Sequence, residues 1–186
     1  MTDRYHHGNL RAQVLDAAAD IVAVAGADAL SMRDLARRAG VSHAAPAHHF
    51  GDRRGLFNAL AAEGFLGLAD ALHPSVQAGD FAQTAVAYVR FAINRPGHFS
   101  VMFRTSLLDV DDPDLRAARE RAGALLQHGL GTLPDERILV DRADAGRAAW
   151  AVVHGIAELT LSGALPGVDA EALALAAARQ LFGAPD

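Results

Sequence analysis

Residues 31–54 read SMRDLARRAGVSHAAPAHHFGDRR, and their polar side chains are of the kinds that meet phosphates and base edges. Arg33 and Arg53 offer guanidinium forks to an anion. His43, His48 and His49 offer imidazole donors or acceptors, and Ser31 and Ser42 stand where helix starts would present backbone amides. Ala44 and Ala45, beside His43, are small enough to approach a base edge closely, and an alanine methyl can lie against a thymine methyl. Blander readings stand beside these: Ser31 and Ser42 as caps alone, Arg33 as a solvated surface charge, Arg37 and Arg38 facing solvent or bonded locally. A shared metal on His48 and His49 fails on geometry, because consecutive helical residues point about 100° apart and do not converge on one ion.

Other chemistry is sparse. The chain has no cysteine, which excludes disulfides, thiolate metal sites and cysteine nucleophiles. It shows no His-Glu pair at zinc-protease spacing, no phosphate-cradling glycine loop and no nucleophile elbow. His154 and Glu158, four apart on one helical face, form the one internal acid–base pair worth testing. The expectation is a protein that is not an enzyme and needs no cofactor or metal.

The elements that must position residues 31–54 follow from local rules. Ser31 is an N-cap with Asp34 three residues on, and Leu35 and Ala36 supply an apolar side. Gly40 can close that helix in a left-handed conformation, with Val41 tucked into the following angle. Ser42 is expected to open a second helix, with Pro46 at its fourth position. Cap, apolar repeat, Gly, apolar residue and second cap are the order of a helix-turn-helix, whose second helix lies in a DNA major groove.

Before it, residues 10–25 form a helix and residues 4–9 a flexible arm, where Arg4 could enter a minor groove or meet a phosphate. After it, Asp52 caps a long helix over residues 52–72 that Pro74 ends. Further helices are expected over residues 80–94, 98–107, 113–130, 141–162 and 169–181, nine in all, with no strand or repeat.

Composition agrees with an all-α protein: 51% of the 186 residues are hydrophobic, few are aromatic and seven are Pro. The net charge of −5 hides an asymmetry. Residues 1–57 hold seven Arg, six acids and five of the nine His, so a weakly basic end is joined to an acidic body. No signal pattern opens the chain, and the most apolar run, residues 148–165, is interrupted by His154 and Glu158. A cytoplasmic protein without a membrane segment is expected.

Ser31-Met32-Arg33-Asp34-Leu35-Ala36, Ala39-Gly40-Val41-Ser42, His49-Phe50 and Leu56, at these spacings, resemble the TetR family of bacterial transcriptional regulators. The likeness is best over residues 9–57; the rest matches mainly in helix count and length. Trp150-Ala-Val-Val-His154-Gly155 resembles the Trp-His-Gly signature of one subfamily's C-terminal domain, and Tyr5-His6-His7-Gly8-Asn9-Leu10 is similar to that subfamily's opening. Two departures stand out. Pro46-Ala47 replaces the family's usual Leu-Tyr, whose Tyr commonly touches a phosphate, and Arg53 replaces a Lys.

The resemblance implies a three-helix DNA-binding head over residues 1–57 and a ligand-binding and dimerisation body over residues 58–186. It implies a dimeric regulator, usually a repressor, bound to a palindromic double-stranded operator and released by a small ligand. His49 and Arg53 would then touch phosphate, with His48 beside them.

For the body, two-fold pairing would extend a short half-site, and the last two helices are the expected interface. Trp150, Val153, Ala157 and Leu161 follow helical spacing on one, and Leu173, Ala177 and Leu181 on the other. The same residues could instead close the monomer core. Phe91, Phe99, Met102, Phe103, Leu125 and His128 could line an apolar pocket, with Trp150, His154 and Glu158 nearby, or serve as ordinary core. The effector would be a small molecule with an apolar part. A helical ligand-binding or interaction protein with weak or no DNA binding is the alternative, made more credible by Ala47.

Overall fold

The computed structural model describes residues 4–183, with side chains from Leu10 onward. Regular structure among them is entirely helical. The nine α-helices are α1 (Arg4–Ala25), α2 (Met32–Arg38), α3 (Ala45–Phe50), α4 (Arg53–Gln77), α5 (Phe81–Asn94), α6 (Pro96–Met102), α7 (Pro113–Gly131), α8 (Arg142–Leu161) and α9 (Ala170–Phe182), with short 3₁₀ turns at Ala27–Ala29, Thr105–Leu107 and Asp135–Arg137.

The chain packs as two compact units. One comprises Met1–Phe65 and Arg95–Arg119, the other Leu66–Asn94 and Glu120–Asp186. In the first, α1 packs on α2, α3 and α6. Its core joins Val14, Leu15, Ala18 and Leu35 with Leu56, Phe57, Leu60, Phe99 and Met102, all buried. In the second, α5, α8 and α9 pack on one another around Tyr88, Val89, Ile156, Ala157, Ala174 and Ala178. Phe81 and Phe182 meet edge to face at 5.4 Å beside Leu130 and Ala145.

Several boundaries differ from those expected. α1 starts at Arg4, not at residue 10, because no Pro intervenes and one interior Gly costs only about 1 kcal/mol. The arm expected there is thus continuous with the helix, and the Arg4 side chain lies outside the described residues. α4 continues past Pro74 to Gln77. Near a helix end Pro forfeits one bond, while buried Leu72 and Val76 hold the last turn and Gly79, at φ +69°, closes it. α5 ends at Asn94 as expected, but α6 runs over Pro96–Met102 and not residues 98–107, with Pro in its first turn. By length and composition α4 alone among the described helices could cross a membrane, but 56% of that window is buried inside the protein, as in a core helix.

The first unit depends on a close backbone approach. A Cβ on Gly97 would lie 2.0 Å from the Ala19 carbonyl oxygen, so α6 can rest on α1 only because this position is glycine. Asn58 on α4 adds an anchor by accepting the Asp109 amide at 2.9 Å, and buried His98 on α6 meets Glu63 on α4 at 3.3 Å. The His98 hydrogen bond holds the Glu63 carboxyl below its ordinary value despite partial burial.

Gly97→Ala must push α6 off α1. We expect it to lower unfolding free energy by about 1–3 kcal/mol, the usual cost of overpacking, in urea denaturation. Gly123→Ala, where a Cβ meets nothing within 4 Å, is the control expected to cost nothing.

Candidate functional site

The α2–α3 unit is assembled by local rules. Ser31 Oγ accepts the Asp34 amide at 3.1 Å and donates to Asp34 Oδ2 at 2.8 Å, as its cap position predicts. The bonds from Ser31 and then Arg37 hold the Asp34 carboxyl below its ordinary value. Gly40, at φ +67°, ends α2: the Val41 amide reaches the Ala36 carbonyl at 3.0 Å and the Gly40 amide the Arg37 carbonyl at 3.3 Å. That pair of bonds is the Schellman arrangement, and it turns the chain sharply toward α3.

α3 begins later than expected, at Ala45, and Ser42 is not its cap. The reason is Pro46. A helix opened by Ser42 would require the residue-46 amide on the Ser42 carbonyl, and Pro has none. The Ala45 amide takes that carbonyl instead, at 3.0 Å, in a turn, and helical bonding starts with His48 on Ala44 at 2.9 Å. Pro46 thus occupies the first turn, where it is well tolerated.

This shift re-sorts the candidates. His43, Ala44, Ala47 and His48 are exposed, and Ser42 is exposed in the preceding segment. Ala45 is buried and cannot approach a base edge, a correction to its expected role. His49 is half-buried, its ring 5.4 Å from that of His48 and 6.2 Å from that of Phe50. Phe50 anchors α3 in the core, with the Arg11 guanidinium 5.3 Å over its ring.

The arginines divide into two groups. Arg33 and Arg54 are exposed and have no ion-pair partner among the described residues. Arg37 pairs with Asp34 at 3.0 Å, and Arg38 lies 3.9 Å from Asp20. Arg53 also departs from expectation. Its guanidinium turns inward, donating to the Ala27 carbonyl at 2.7 Å and lying over the Phe57 ring at 5.0 Å, with Nε buried and unbonded. It braces the start of α4 against the turn before α2, so its first role is positioning. Asp52 caps α4 as expected, accepting the Gly55 amide at 2.9 Å.

In the second unit the sequence reading missed the central residue, Tyr88. Its side chain is fully buried on α5, and its hydroxyl is 3.0 Å from His154 Nδ1 and 3.2 Å from Trp150 Nε1, both on α8. The Trp150 indole can only donate, so the Tyr88 hydroxyl accepts from it and has its own proton to offer a neutral His154 Nδ1. The other ring nitrogen, Nε2, faces Glu158 Oε1 at 3.9 Å, too long for a hydrogen bond. Burial pushes the Tyr88 phenol well above its ordinary value, so it remains a donor. A lone Tyr in the otherwise apolar α5 pattern was the available signal, since a buried hydroxyl needs a partner.

The expected pocket residues are divided between the units. Phe99, Met102 and Phe103 belong to the first: Phe99 and Met102 are fully buried core, and Phe103 stacks edgewise on Phe65 and Phe99 at 5.4 and 5.6 Å. Phe91, Leu125, His128, Trp150, His154 and Glu158 belong to the second, where Phe91 is buried, Leu125 half-buried and His128 exposed. Of the expected interface residues, Val153 and Ala157 are corrected to monomer core, since both are buried where α8 packs on α5 and α9. Trp150, Leu161 and Leu181 are exposed, and Leu173 and Ala177 are half-buried. The outer face of α8 is instead Ala148, Ala151, Val152, Gly155 and Leu159, at three- and four-residue spacing.

Comparison with known proteins agrees with this arrangement. Residues 14–60 match the family described as bacterial regulatory proteins, tetR family, and residues 81–181 match the tetracyclin repressor-like C-terminal domain. A Rhodococcus sp. RHA1 protein of unknown function is 34% identical, with a TM-score of 0.79 and 96% of each chain covered. The TetR family transcriptional regulator PfmR from Thermus thermophilus is 23% identical with a TM-score of 0.71, covering 93% of this chain and 98% of its own. AmtR from Mycobacterium smegmatis is 16% identical with a TM-score of 0.70, covering 95% and 87%. None of the curated proteins matches the chain significantly.

With Tyr88 as the donor its bond to His154 requires a neutral imidazole, the form that burial favours by holding His154 below its ordinary value, with Glu158 opposing more weakly. For a base lowered by folding, the stabilisation is complete above the unfolded imidazole value and is lost as pH falls through the folded one. Tyr88→Phe should therefore cost about 1 kcal/mol at pH 8 and less at pH 5.5 by chemical denaturation. An equal cost at both pH values would contradict this account of the bond.

Proposed function

The chain belongs to the TetR family of bacterial regulatory proteins and is a DNA-binding transcriptional regulator, and from that premise we propose that it works as a homodimeric repressor. Each protomer would use α2 and α3 to read one half of a palindromic operator, from the cytoplasm. The observation that carries this reading is the α2–α3 unit itself: a capped helix, a sharp Gly40 turn, and a short segment that leaves His43, Ala44, Ala47 and His48 exposed beside the exposed Arg33. Ser31, Ser42 and His49 remain candidates for phosphate contact at the edges of that surface, and Arg53 is proposed to support it.

The proposed dimer contact is the outer face of α8 with α9, where small side chains allow close helix approach. A Cβ on Gly155 would meet nothing within 4 Å in the single chain, and Leu159 is 48% exposed. Trp150, Leu161, Leu173, Ala177 and Leu181 would flank it. A small, partly apolar effector bound in the C-terminal domain would favour a conformation with the two heads misplaced for successive grooves, releasing DNA. Within the first unit, α6 rests directly on α1, so a shift of α6 would reach the head without a separate relay.

Two measurements test this reading. In titrations of DNA fragments selected by the protein, Arg33→Ala should weaken binding across sequences and reduce the salt slope by about 0.9, the value for one phosphate contact. A salt-independent wild-type affinity would contradict it. Leu159→Glu should convert a dimer in light scattering to a folded monomer with weakened operator binding. A wild-type monomer at micromolar concentration would remove the dimer from the proposal.

A further inference from the structure

We propose that operator binding by this head is linked to proton uptake, because the charge on its recognition segment is supplied by histidine alone. From Ser42 to Phe50 there is no Arg, Lys, Asp or Glu; the ionisable side chains are His43, His48 and His49. His43 and His48 are exposed, and the His48 and His49 rings are 5.4 Å apart. A phosphate brought within reach of these rings favours their protonated form, as a nearby opposite charge does for any base. Imidazole is the side chain whose charge can change within the range from pH 5 to 8.

Neighbouring elements do not override this behaviour. On α2, Asp34 is bonded to Ser31 and Arg37, while Arg38 lies against Asp20 of α1. From α1, Arg11 covers the Phe50 ring. At the start of α4, Asp52 caps the helix, Arg53 is committed to Ala27, and Arg54 is exposed. Arg11, Arg33, Arg53 and Arg54 stand around the segment as fixed cations without an ion-pair partner among the described residues, so histidines supply the part of its charge that can change with pH. The linkage rests on the DNA-binding reading of the head, and it predicts tighter binding as pH falls.

The test is fluorescence anisotropy at fixed ionic strength, from pH 6 to 8, with a duplex selected by the protein from a random-sequence pool. Wild-type affinity should fall about tenfold across that range, as expected when binding raises the proton affinity of one or two imidazoles. His43→Gln/His48→Gln should bind more weakly and lose most of this dependence, read as the ratio of its own affinities at pH 6 and pH 8, and His73→Gln/His128→Gln, exposed on the body, should retain it. A flat wild-type profile, or a full wild-type dependence in the His43/His48 variant, overturns the linkage. Absence of binding at every pH overturns the DNA-binding reading and the linkage with it.

Discussion

Pro46 has no amide proton to give the Ser42 carbonyl, and that missing donor fixes what the head presents. Helical bonding cannot begin at Ser42, so His43 and Ala44 stay in a turn and α3 shrinks to Ala45–Phe50. With the helix phase set in this way, Ala45 and Phe50 point inward while Ala47 and His48 point out. Gly40 supplies the complementary constraint by closing α2 in a left-handed conformation that a side chain rarely adopts. Between these two residues the path from α2 to α3 has little freedom.

The surrounding structure supports that path by direct contact. Arg53 turns away from solvent to hold the Ala27 carbonyl, linking the start of α4 to the turn ahead of α2. Gly97 lets α6 settle on the α1 backbone, and His98 with Glu63 joins α6 to α4. In the second unit, Arg90 and Glu171 pair α5 with α9, and Tyr88 binds α5 to α8 through Trp150 and His154. Trp150 and His154 are one helical turn apart, so one buried hydroxyl can engage both.

What the sequence made legible were rules that operate over a few residues. The Ser31 cap with Asp34, the Gly40 turn and the Asp52 cap are read from neighbours a few residues away, and the structure shows each. Ser42 failed as a cap because a second local rule, the missing Pro46 amide, outweighed it. Arg53 could not be placed from sequence, since its acceptor lies 26 residues away and an Arg at a helix start looks equally ready for phosphate. Tyr88 was missed for the same reason: its partners are 62 and 66 residues distant, and α5 otherwise reads as plain core. Val153 and Ala157 share the helical spacing of Trp150, and spacing alone does not reveal which face of α8 meets α5 and α9.

The central claim is that the segment from His43 to His48, phased by Pro46, is the surface that meets DNA. Histidine-selective NMR of the labelled protein, titrated with a selected operator duplex, tests it most directly. The account predicts that the His43 and His48 ring signals shift on DNA addition while those of His73 and His128 do not. Unmoved His43 and His48 signals in a saturated complex would contradict it.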